Sequence, residues 1–104
     1  MPPIVRLTLF KIPDAALVQQ AVHKYSTLAR DALKDGSPYI QLSAGHTLHA
    51  DPRSKGYTFL ARTVFLSEED MAYYDESCEA HGAIKTLLKG KFEDGPPVVC
   101  VMDG

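Results

Sequence analysis

Three of the four strand-like runs in this chain are apolar on both of their faces, and only two helical stretches are available to cover them. Residues 4–12 set Val5, Leu7 and Leu9 on one side against Arg6, Thr8, Phe10 and Ile12 on the other. Residues 57–65 set Phe59, Ala61 and Phe65 against Leu60 and Val64, and residues 98–102 set Val98, Cys100 and Met102 against Val99 and Val101. Side chains alternate across a strand, so each run buries apolar surface in two directions. The order of elements is β-α-β-β-α-β, the ferredoxin-like split arrangement of the α+β class. Two helices roof only one face of a four-stranded sheet. The other face is then a contiguous apolar patch of a kind monomers rarely expose, and a second copy packed sheet against sheet is the economical cover.

The remaining elements read locally. Asp14 caps a helix running to about residue 34, with Leu17, Ala21, Tyr25, Leu28 and Ala32 at helical spacing. Asp35-Gly36-Ser37-Pro38 stops it, Gly36 suiting a left-handed cap. Residues 39–48 read as a strand loosened by Gly45, and residues 50–56 as a polar connection. Ser67 opens a second helix. It caps the amide of Asp70, whose carboxylate reaches back as in a capping box, and Leu66 with Met71 is placed as a hydrophobic staple. Glu68, Glu69 and Asp70 suit the positive helix end. The helix breaks near Asp75-Glu76-Ser77, resumes over 79–89 with His81, Ile84, Leu87 and Leu88 on one side, and closes at Gly90. The turn 93–97 leads into the last strand.

A chain of 104 residues with a formal net charge of -2 is one domain without the basic surface that nucleic acid or an anionic membrane would require. No apolar run is long enough to span a bilayer, and the N-terminus enters a strand pattern at once, without a secretory h-region. Cys78 and Cys100 are expected to be reduced thiols, which together give a cytoplasmic expectation.

Taken in order, several pieces of the chain resemble the stress-responsive dimeric α+β barrel (Dabb) domain, over nearly the whole length. They are Ile4-Val5 through Leu9-Phe10-Lys11, Ser43-Ala44-Gly45, and Ser54-Lys55-Gly56-Tyr57-Thr58 through Val64-Phe65. Tyr73-Tyr74 with Glu79-Ala80-His81, and Val98-Val99-Cys100-Val101, complete the set. The double tyrosine and its spacing to Ala80-His81 are closer to fungal members. The resemblance implies a homodimer whose sheets meet as a barrel with the helices outside. Some members are plant stress proteins without an assigned reaction; one type is a polyketide cyclase that performs an aldol condensation without a cofactor. In that type a pocket between sheet and helices is lined by tyrosines, a histidine and an aromatic residue before the last strand. Tyr25, Tyr74, His81 and Phe92 fall at those places, the Tyr74 to His81 interval being one residue longer. Two histidines of the cyclase type are replaced here, by Arg6 and Phe59.

His81 and Tyr74 are the candidate catalytic pair. A near-neutral imidazole removes an acidic proton, and a phenol polarises a carbonyl on its way to an enolate. The plain alternative is a core histidine bonded to a backbone carbonyl, with Tyr74 merely packing. Arg6 either binds a carboxylate or forms a salt bridge at the end of the sheet, to Asp103 or another acid. The expected pocket lining is Arg6, Thr8, Phe10, Val22, Tyr25, Phe59, Ala61, Tyr74, His81 and Phe92.

His46, His49 and His23 lack the spacing and companions of a metal site and read as solvated side chains. No metal and no cofactor is expected. An RNA-binding sheet is excluded by the acidic balance and the missing aromatic-basic signatures, and a haem-degrading barrel by the absence of Trp and of an axial-ligand setting. The leading expectation is a homodimeric binding or stress-response domain for a small, flat organic molecule, acidic ones included. The alternatives are a cofactor-free cyclase or lyase on polyketide-like compounds, and a purely structural assembly protein.

Overall fold

A computed structural model describes residues 2–104. Its elements are β1 (Ile4–Phe10), α1 (Ala15–Asp31), the short pair β2 (Leu33–Lys34) and β3 (Ser37–Pro38), β4 (Ile40–Thr47), β5 (Phe59–Phe65), α2 (Glu68–Glu76), α3 (Glu79–Leu88) and β6 (Val98–Asp103). The four long strands form one antiparallel sheet in the order β4-β5-β1-β6. That is the β-α-β-β-α-β arrangement expected from the sequence, with the second helix divided into α2 and α3. No helix among the described residues is long and apolar enough to cross a membrane.

Strand register fixes what faces the helices. Arg6 lies opposite Thr63 and Val101, and Thr8 opposite Ala61 and Val99. Phe10, Phe59, Ala61, Thr63 and Phe65 therefore share the covered face, and all five are buried. Leu17, Val18, Ala21, Tyr25 and Leu28 of α1 close the core from above. On the other face Val5, Leu7 and Leu9 stand beside Leu60, Arg62 and Val64 and beside Val98, Cys100 and Met102. This open face is mainly apolar, but it carries a cation at Arg62 that the alternation argument did not use.

Gly45 explains how α1 approaches β4. A Cβ at that position would stand 3.0 Å from the Val22 backbone and 2.9 Å from the Phe59 ring. The glycine lets the helix settle on the strand, which is a tighter role than loosening it.

Several local expectations change. The first helix ends at Asp31, with Ala32 as its C-cap. Leu33 then pairs with Pro38 and Lys34 with Ser37, around Asp35 and Gly36 at φ 52° and 80°. Two successive left-handed residues make a tight hairpin turn, so Asp35-Gly36 serves a hairpin and not a helix cap. Ser67 does accept a hydrogen bond from the Asp70 amide at 3.1 Å. The Asp70 carboxylate, however, accepts one from Lys34 Nζ at 3.0 Å instead of reaching back, and Leu66 stays 58% exposed rather than stapling the turn. Cys78 is buried at the start of α3 despite its polar neighbours, and Cys100 is exposed; both are unpaired.

Candidate functional site

The sheet is roofed unevenly. α1 lies across β4, α3 packs chiefly against α1, and every residue of β6 is exposed. Between α3 and the β1–β6 side of the sheet this leaves a cavity of about 480 Å³. Its floor is Arg6, Thr8, Phe10 and Val99, its inner end Tyr25 and His81, and its α3 wall Ile84, Lys85, Leu88 and Lys89. Phe92, Pro96 and Pro97 close the side formed by the connection into β6. Phe92 is held edge-on to Phe10 with centroids 5.6 Å apart, and the Glu93 amide donates to the Lys11 carbonyl at 2.8 Å. The walls are mainly apolar with a few convergent polar groups, the composition of a small-molecule site.

His81 is 6% exposed and its ring environment is specific. Its Nδ1–H donates to the Tyr74 carbonyl at 2.8 Å, a partner that can only accept. That bond assigns the proton to Nδ1 and leaves Nε2 with a free lone pair. Burial lowers the imidazole from its ordinary 6.5 to about 4, so the ring is neutral at physiological pH. The Tyr74 ring stacks on His81 at 3.6 Å between centroids and packs edge-on against Phe65.

Tyr74 itself is 3% exposed and does not reach the cavity. Its hydroxyl lies close to those of Tyr25 and Thr63, and burial raises both phenols above their ordinary range. Tyr25, not Tyr74, presents its side chain to the cavity. Arg6 lies in the wall with its guanidinium 5.6 Å from the Tyr74 ring centroid and paired with Asp75 at the end of α2. The salt bridge thus forms in the cavity wall, with Asp75 and not Asp103 as partner.

Of the residues expected to line a pocket, Arg6, Thr8, Phe10, Tyr25, His81 and Phe92 are brought together. Phe59, Ala61 and Tyr74 lie beneath the surface as packing, and Val22 sits over β4 against Gly45. Sequence reasoning set Ile84 and Leu88 on the His81 side of the helix without assigning them to the pocket, and it missed Lys85 and Lys89. The signal was present: His81, Lys85 and Lys89 recur every four residues, as do Ile84 and Leu88, which puts the first two and the last two on neighbouring stripes of α3 and Lys89 at its C-cap. His23, His46 and His49 are exposed, and no group of metal-ligating side chains occurs among the described residues.

The fold recurs among solved structures. A dimeric ferredoxin-like protein of unknown function from Jannaschia sp. CCS1 superposes with a TM-score of 0.75 at 12% identity, over 98% of this chain and 99% of that one. The chain has the ferredoxin-like fold. The hydroxynitrile lyase of Passiflora edulis superposes with a TM-score of 0.74 at 14% identity, over 98% of this chain and 93% of that one. A dimeric protein of unknown function from Bacteroides fragilis gives 0.70 at 13% identity, over 98% and 96%. In sequence, the chain is 41% identical over 83 residues to the fusaristatin A biosynthesis cluster protein of Gibberella zeae, a match covering 80% of this chain. The match spans 60% of that relative's length. No protein-family model matches the sequence.

Proposed function

We propose that the chain is a homodimeric α+β barrel domain of the Dabb type whose subunits each hold a small, flat organic molecule in the cavity between α3 and β1. The observation that carries this reading is the cavity itself: about 480 Å³, apolar-walled, with a neutral imidazole and a phenol at one end and lysines along one side. Two phenylalanines and two prolines favour a planar guest, and the cationic side favours an acid. The relative from a fusaristatin A cluster supports a place in small-molecule biosynthesis. Solved proteins of this fold described as dimeric support pairing of the open sheet faces. Two unpaired cysteines agree with a cytoplasmic setting.

A second reading, a cofactor-free cyclase or lyase on polyketide-like compounds, is favoured by the free Nε2 lone pair of His81 beside Tyr25. There His81 takes the proton and Tyr25 polarises the carbonyl. Tyr74 holds the imidazole by its backbone carbonyl and stacked ring, a positioning role in place of direct contact. A base held near 4 is weak, so the abstracted proton must be acidic, as between two carbonyls.

Native mass spectrometry of the purified protein, followed by thermal shifts against aromatic acids, tests the binding reading. A retained or stabilising planar molecule that His81→Ala weakens is expected. No ligand from a broad set of such acids would sink it. For the second reading, wild type should speed deuterium exchange at the central carbon of a 1,3-diketone, and His81→Ala should abolish that.

A further inference from the structure

The geometry points to Lys89 as the residue that selects the ligand's acid group, so that the cavity takes flat monocarboxylates roughly 10 Å long with a hydroxyl or carbonyl at the far end. This rests on the reading of the cavity as a ligand site and adds the anchor, the orientation and the length. Three cations reach the wall, and two of them are drawn toward Asp75. Arg6 is paired with the Asp75 carboxylate through Nη1 while its buried Nε has no partner, and Lys85 Nζ donates to the Asp75 backbone carbonyl at 2.9 Å. Both engagements converge on one residue, at the break between α2 and α3. Lys89, exposed at the C-terminal end of α3, has no acidic partner among the described residues.

The opposite end of the wall is chemically different. His81 is neutral, its free Nε2 accepts a hydrogen bond, and Tyr25 offers a buried phenol. A carboxylate placed there would lose its hydration beside cations, Arg6 and Lys85, that are already drawn to Asp75, which is costly. At the Lys89 end it stays near water and meets a cation, so desolvation is small. The ligand is therefore oriented with its acid outward and its hydroxyl or carbonyl toward His81. Lys89, the C-cap of α3, follows His81 by eight positions, about 12 Å along the axis, which sets the length of molecule that spans them.

The test uses 6-hydroxy-2-naphthoate, its methyl ester and 2-naphthoate, followed by naphthyl fluorescence, since the chain has no Trp. Wild type should bind the hydroxy acid roughly tenfold more tightly than the ester. Lys89→Met should remove that preference without weakening the ester, and Lys89→Arg should restore it. His81→Phe should weaken the hydroxylated acid but not 2-naphthoate. If acid and ester bind wild type alike, or the preference survives Lys89→Met, the Lys89 assignment is overturned while the cavity stands as a ligand site. If none of the three probes binds, the cavity reading and this inference fall together.

Discussion

His81 combines two readings that looked exclusive in the sequence. It is a buried histidine bonded to a backbone carbonyl, and the same bond leaves the other nitrogen unprotonated on a ring that lines a cavity. Burial also makes it a source of acid sensitivity. The unfolded chain protonates this imidazole near 6.5 and the folded chain only near 4, so the unfolded state binds the extra proton between those values. Above 6.5 the group is indifferent to pH. From there down to about 4 folding loses stability, by ~3 kcal/mol in all, and below 4 the effect saturates. Urea unfolding of wild type and His81→Gln at pH 7 and pH 4.2 reads this directly. Wild type should lose more on acidification by about that amount. Equal losses would show that the imidazole titrates as it does in water.

The elements show where local sequence sufficed and where it did not. Asp14 and Ser67 cap α1 and α2 as their positions foretold, because a cap is a contact between residues two or three apart. The break at 75–77 was also legible, from polar residues in an otherwise helical run. The β2–β3 hairpin was not. Asp35-Gly36 can end a helix or turn a hairpin, and only the pairing of Leu33 with Pro38 decides. The Arg6–Asp75 pair, 69 residues apart, could not be read from alternation along one strand. For the same reason the burial of Tyr74 beneath the site escaped notice: a helical stripe says which side faces inward, not which residue reaches a cavity. Gly45 is the sharpest case of tertiary control. Its missing Cβ makes room for the Val22 backbone, which cannot retreat as a flexible side chain would. Gly45→Ala should cost about 1–3 kcal/mol by overpacking, in a strand where alanine is otherwise acceptable. Chemical denaturation checks it, and Gly82→Ala, with open space around it, is the matched control expected to be neutral or stabilising. Equal effects at both sites would remove the close-approach argument.

The assembled sheet leaves one flank that the helices do not reach. Leu42, Val98 and Met102 are each 40% exposed on it, with Val5, Leu7, Leu9 and Leu60 half-buried between them. Water over such a face is unfavourable by roughly 25 cal/mol for every Å² of apolar surface, so pairing two copies is favoured while the face stays free of charge. Arg62 breaks that condition, lying opposite Leu7 in the middle of the sheet. A buried guanidinium needs acceptors, and no acidic side chain from the four strands shares its face. Charge at this spot should therefore control association in both directions. Leu7→Lys adds a second cation beside Arg62 and should yield monomers at low micromolar concentration in sedimentation velocity, where wild type remains dimeric. Arg62→Leu should leave the dimer intact or tighten it, since it removes a charge that pairing must desolvate. Neither position touches the cavity, so binding of an aromatic acid by monomeric Leu7→Lys would separate the roles of the two faces. A wild-type protein that sediments as a monomer, or a Leu7→Lys variant that still pairs, would mean that this flank is not where copies meet.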